Sequence, residues 1–179
     1  LRVSPLHELM RERGAVMGSA HGTERPNWFS TKSHDETSDS FRRTNWFDAV
    51  AREVDAVANR VALADLSVFS KFDVTGPDTL RFLDALGANR PPKPGRIGLT
   101  HALTPAGGIG SEFTVSVLTP DHAYLNSAAA AEEIDLDLLT ARARHFDVTI
   151  RNRTDELAVI GLMGPRAQDV LARFTGAVS

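Results

Sequence analysis

Apolar side chains recur at three- and four-residue spacing through Trp46, Val50, Val54, Val57 and Val61. This period predicts an amphipathic helix over residues 46–60, capped by Thr44 or Asn45. Upstream, Ser4-Pro5 ahead of Leu6, Leu9 and Met10 predicts a short helix that ends near Gly14, with Ser4 as N-cap and Pro5 in the first turn. From Gly18 to Arg43 the chain is polar, and the run Ser30 to Ser40 has no apolar period, so this stretch reads as an exposed loop or extension.

Beyond residue 60 the period changes. Phe69 to Thr75 predicts a strand, and Gly76-Pro77-Asp78 turns it into a helix with Leu80, Leu83 and Leu86 inward. Pro91 to Gly95 is a stiff connector. Ile97, Leu99 and Leu103 mark the next strand, which Pro105-Ala106-Gly107-Gly108 turns back. Phe113, Val115 and Val117 then alternate with Glu112, Thr114 and Ser116, the period-two signature of a half-buried strand. Ala123-Tyr124-Leu125 continues the sheet. Residues 129–143 read as helix, 148–150 and 157–162 as strands, and Gly164-Pro165 opens a last helix with Val170, Leu171 and Phe174 inward. Val74-Thr75-Gly76-Pro77-Asp78 echoes Leu162-Met163-Gly164-Pro165-Arg166. Two related βα halves and chance likeness of two helix starts explain the echo equally well.

Composition narrows the function. Of 179 residues, 42% are hydrophobic and 24% charged, with a net charge of −3. That is an ordinary globular balance, without the basic excess a nucleic-acid binder needs. No apolar run approaches the roughly 20 residues that span a bilayer. With no cysteine, disulfides, thiolate metal sites and thiol nucleophiles are excluded. His7, His21, His34, His101, His122 and His145 show no pair at metal-ligand spacing, so no metal is expected. Gly107-Gly108-Ile109-Gly110 has the wrong spacing for a dinucleotide fingerprint and sits in a hairpin. The chain begins at Leu1 without a signal peptide and reads as an excerpt of a longer protein.

Several blocks carry a resemblance. They are Glu24-Arg25-Pro26-Asn27-Trp28-Phe29, Ser40 to Phe47, Leu63 to Pro77, Arg96 to Ile109, Glu112 to Val115 and Leu162 to Arg166. In this order they resemble the folate-binding domain of dimethylglycine and sarcosine dehydrogenases, within the family of the glycine-cleavage aminomethyltransferase. The resemblance implies an α+β fold, with mixed or antiparallel sheets and packed helices. It implies a leader with one short helix over 1–43, then the N-terminal half of an aminomethyltransferase-type folate-binding domain over 44–179. It implies tetrahydrofolate as cofactor, with FAD only in a separate domain absent from this chain. The implied activity is methylene transfer to folate, and the alternative is a non-catalytic folate-binding or assembly module of the same fold. The expected partners are folate, the remainder of the domain or an FAD oxidoreductase domain, and a second copy of the chain, with no nucleic acid and no membrane. The expected location is cytoplasmic, or the mitochondrial matrix in a eukaryote.

Glu112 is the catalytic candidate. The resemblance places it where the family carries an acidic residue, usually Asp, facing the pterin. A carboxylate there assists a developing cationic amine. On residues alone it is an exposed strand carboxylate. Phe69, Leu99, Thr114 and Tyr124 are the candidate cofactor-binding residues. A core role for Phe69 is equally open, and for Leu99 and Tyr124 it is the stronger reading without the resemblance. Thr104 replaces an Asn usual before the turn, and Ala128 stands where the resemblance puts a folate-binding Asn. Asp65-Leu66-Ser67 is expected to be structural, its side chains bonding nearby backbone.

Overall fold

The computed structural model describes residues 1–32 and 36–176. Ser33, His34 and Asp35 of the polar stretch, and the last three residues, lie outside the described residues. The chain divides into two compact units, Leu1–Val68 with Ala158–Ser179, and Phe69–Leu157. In chain order the elements of the first begin with α1 (His7–Glu12), β1 (Ala15–Ala20), β2 (Thr23–Phe29), α2 (Phe47–Asn59) and β3 (Ala62–Asp65). The second unit holds β4 (Ser70–Thr75), α3 (Thr79–Leu86), β5 (Arg96–Leu103), β6 (Ile109–Thr119), β7 (His122–Ser127), α4 (Glu132–Ala143) and β8 (Thr149–Asn152). β9 (Ile160–Met163) and α5 (Ala167–Thr175) complete the first.

In the first unit α1 starts later than the sequence predicts: the N-cap position falls to Leu6, with no side-chain cap, and Ser4 Oγ instead accepts the Leu6 amide at 3.0 Å in the turn that leads into the helix. The polar stretch departs from its sequence reading. Its first part, from Gly18 to Phe29, is not irregular: it belongs to an antiparallel hairpin of β1 and β2. His21 and Gly22 both take positive φ, 50° and 76°, which a two-residue turn matching the strand twist requires. Trp28 is buried and supplies the apolar anchor, donating Nε1–H to Thr37 Oγ1 at 3.2 Å. The hairpin folds with α2, whose Glu53 Oε1 accepts the Phe29 amide at 3.3 Å. The expected cap of α2 by Thr44 or Asn45 is absent: the N-cap position falls to Trp46, which has no side-chain acceptor, and the Asn45 amide group instead accepts Ser38 N and donates to Glu36 O.

β3 pairs antiparallel with β9. The Asp65-Ser67 turn beside them bonds backbone: Asp65 Oδ1 accepts Ser67 N and Ser67 Oγ accepts Val159 N, both at 3.0 Å. The two Gly-Pro steps share a backbone conformation. Gly76 has φ 143° and Gly164 has φ 113°, and each joins the end of a strand to a helix. A Cβ at Gly76 would lie 2.2 Å from Asp147 O, and one at Gly164 2.7 Å from Arg60 O. Only glycine meets both demands.

The second unit is a five-stranded antiparallel sheet in the order β5-β6-β7-β4-β8. One face packs against α3 and α4 through Phe72, Val74, Phe82, Leu83, Phe113, Val115, Leu125 and Leu139. Burying each such side chain contributes about 1.5–3 kcal/mol. Because strand side chains alternate, the opposite face carries Leu99, His101, Glu112, Thr114, Tyr124, Asn126 and Asp73. The architecture is therefore α+β, helices segregated to one side of an antiparallel sheet.

Candidate functional site

The site begins with a register change. Ala102 pairs with Ser111 but Leu103 pairs with Ile109, so Gly110 is an extra residue in β6. Such a bulge re-aims the side chains that follow it. Beyond it Phe113 turns into the core and Glu112 turns to the opposite face, directly across from His101. The β5–β6 turn itself is closed by Thr104, whose Oγ1 accepts Gly108 N at 3.1 Å.

Three further cross-strand pairs extend this face. Leu99 lies opposite Thr114, Thr114 opposite Asn126, and Asn126 opposite Lys71, a row across four strands. Lys71 is fully buried, and its Nζ donates to Phe69 O at 2.8 Å and to Thr154 O at 3.2 Å. The first of these bonds fixes the backbone at the head of β4, where Phe69 projects with 41% exposure.

Phe69, Glu112, Thr114, Asn126, Ser111 and Asp135 line one cavity of about 350 Å³. Its lining includes a buried polar pair from the helix-packed side of the sheet: Asp135, from α4, is 1% exposed and accepts the Ser111 hydroxyl. At its rim Glu112 Oε2 lies 2.8 Å from His101 Nε2. No Lys, Arg or His is among the lining residues, whereas two carboxylates are. A cavity of this chemistry accepts hydrogen bonds and suits a flat ligand rich in N–H donors.

The structure thus brings Phe69, Glu112 and Thr114 to one cavity and leaves Leu99 and Tyr124 off its wall. Leu99 lines a second cavity of about 380 Å³ at the β5 edge, together with Asn89, Arg90, Pro92 and Arg96. Tyr124 meets the first cavity only through Asn126, whose Nδ2 donates to the phenol oxygen at 3.3 Å. Burial pushes the Tyr124 phenol up, against the lowering effect of that amide. Asn126, Ser111 and Asp135 were not singled out from sequence. Asn126 stands two residues before Ala128, which also lines the cavity. No group of three or more His, Cys, Asp or Glu side chains suited to a metal gathers among the described residues.

A two-layer α+β unit with a carboxylate-lined cavity beside a Gly-rich hairpin defines the class of protein. The GCVT N-terminal domain family matches residues 6–179, and the chain belongs to it. It is 42% identical over 177 residues to the mitochondrial dimethylglycine dehydrogenase of Homo sapiens, covering 97% of this chain and 20% of that protein. It is 34% identical to a formaldehyde-forming 4-methylaminobutanoate oxidase of Paenarthrobacter nicotinovorans, over 98% of this chain and 22% of that protein. The fold matches the glycine cleavage system aminomethyltransferase T of Bartonella henselae with a TM-score of 0.79 and 23% identity, over 100% of this chain and 45% of that one. The chain spans about a fifth of the length of its dehydrogenase and oxidase relatives.

Proposed function

We propose that this chain is the tetrahydrofolate-binding, methylene-transferring part of an enzyme like the dimethylglycine and sarcosine dehydrogenases. The observation that carries the reading is the meeting of Glu112, Phe69 and Thr114 at one cavity without a basic side chain. The residues fit a reduced pterin. Its ring is flat and rich in N–H donors, and the lining offers an aromatic face, two carboxylates, a hydroxyl and an amide. When bound, tetrahydrofolate supplies the secondary amines that capture a one-carbon unit at the oxidation level of formaldehyde. Glu112 would accept the proton shed by an attacking amine, and its charge would offset the positive charge that builds there. Phe69 would hold the ring by packing on it, and Thr114 and Asn126 would orient it by hydrogen bonds.

FAD, in a separate part of the enzyme, performs the amine oxidation. Residues 1–43 lead into the folate-binding part at 44–179, and the partners are that flavin part, the remainder of the folate domain and a second copy of the chain. No helix among the described residues is long and apolar enough to cross a membrane. The expected location is the cytoplasm, or the mitochondrial matrix in a eukaryote.

A second reading keeps folate binding or assembly and drops transfer. It is favoured by the 34% identical relative named for forming free formaldehyde. Calorimetric titration of the full-length enzyme with tetrahydrofolate, combined with Glu112→Ala kinetics, separates the two. The transfer reading expects binding within about threefold of wild type and methylene capture slowed about 10²–10⁴-fold. Unchanged capture in Glu112→Ala favours the second reading, and no binding of tetrahydrofolate at all overturns the first and leaves the second only as an assembly module.

A further inference from the structure

We infer that His101 is a positioning residue, fixing which carboxylate oxygen Glu112 presents to the cavity. This rests on the reading of Glu112 as the acting carboxylate. Glu112 and His101 are direct cross-strand partners, and their side chains meet on the face away from the core. A carboxylate oxygen only accepts, so the imidazole Nε2–H donates to Glu112 Oε2, 2.8 Å away. The bond occupies Oε2 and leaves Oε1 as the oxygen for a ligand.

The need for such a tether follows from the side chain itself. Glutamate has three rotatable bonds, and the Glu112 side chain is 59% exposed, so packing does not choose its rotamer. His101 is better held, with a side chain 30% exposed. Its backbone is fixed on both sides: it sits in the β5–β6 ladder, and its carbonyl accepts the Ala88 amide from the α3–β5 connector at 2.9 Å. The bulge at Gly110 lies next to this pair and sets the face on which it forms. An edge-strand imidazole with a pinned backbone therefore orients a mobile carboxylate on the neighbouring strand. The pair is too exposed to contribute measurably to folding, and its effect falls on the geometry of the site.

The test uses the full-length enzyme and the rate of 5,10-methylenetetrahydrofolate formation at varied tetrahydrofolate. His101→Leu removes the donor, and kcat is expected to fall about tenfold with KM for tetrahydrofolate within twofold and Tm unchanged. His101→Gln, whose Nε2 reaches a similar position, is expected to recover most of the loss. The double variant His101→Leu/Glu112→Gln is expected to be no slower than Glu112→Gln alone, because the histidine acts only through the carboxylate. An unchanged kcat in His101→Leu, additive losses in the double variant, or no recovery in His101→Gln each overturns the inference. If Glu112→Gln itself is fully active, the reading of Glu112 falls. If Glu112→Gln is slow and His101→Leu is not, only the role of His101 falls.

Discussion

At the scale of single residues, two buried side chains carry more than their sequence context shows. His7 is buried, with Nε2 2.5 Å from Glu24 Oε2 and Nδ1 3.0 Å from Glu8 Oε1. The bond to Glu24, then that to Glu8, raises its pKa above the ordinary 6.5, against the lowering effect of burial. The folded state therefore holds the proton more tightly than the unfolded chain. The stabilisation is full below about pH 6.5 and is lost as pH rises through the folded-state value. Amide exchange in α1, corrected for its intrinsic pH dependence, is expected to show weakening protection over that interval in wild type and a flat profile in His7→Gln. Equal profiles would refute the linkage.

Lys71 makes a different case. A fully buried lysine whose ammonium serves two carbonyls cannot be replaced by an apolar isostere without orphaning both. Lys71→Met is expected to lower unfolding stability by about 1–3 kcal/mol per stranded carbonyl, read from the urea midpoint. Because one carbonyl belongs to Phe69, the same variant is expected to weaken tetrahydrofolate binding in full-length enzyme that remains folded.

At the scale of elements, legibility followed the regularity of the pattern. β6 was readable because Phe113, Val115 and Val117 bury one face while Glu112, Thr114 and Ser116 leave the other polar. α2 was readable from its three- and four-residue spacing. The β1–β2 hairpin was not, because its burial rests on Trp28 and Thr23 and its remaining positions are half-buried or exposed. The one local signal, His21-Gly22, lacks the Asn or Asp that usually marks such a turn. The same contrast governs the site. Glu112 and Thr114 sit on a strand whose faces follow from alternation, and Phe69 immediately precedes β4. Asp135 reaches the cavity from α4, where a buried acid stands beside the exposed Ile134, the reverse of what hydrophobicity suggests. Its place depends on how the helix packs, which no local pattern encodes.

The Gly-Pro steps can be tested at this scale too. Gly76→Ala combines a positive φ with a Cβ 2.2 Å from Asp147 O, whereas Gly95 has φ 79° with nothing within 4 Å of an added Cβ. Strain alone costs about 1–3 kcal/mol at either site. Gly76→Ala is expected to lose clearly more than Gly95→Ala in a denaturant titration, and equal losses would show that the contact with Asp147 relaxes freely.

At the scale of the whole molecule, the decisive quantity is how far the cavity closes around a ligand. Well-formed sites bury about 70–90% of a ligand of folate's size. Here the Glu112 side chain is 59% exposed, and Phe69 is 41% exposed. The Phe69 ring and the carboxylate proposed to act are therefore both open to water, where charge stabilisation is weakened by the high dielectric. The 179-residue chain is accordingly expected to bind tetrahydrofolate on the order of 100-fold more weakly than the full-length enzyme, because little water is displaced and only one side of the pterin is met. Titration calorimetry of both proteins under one buffer condition measures the ratio. Equal affinities would mean that the strands and α4 of the second unit suffice to recognise folate. On the proposed function, the remainder of the folate domain would then act on the transfer step alone, and the kcat for capture, rather than Kd, would be the quantity that it changes.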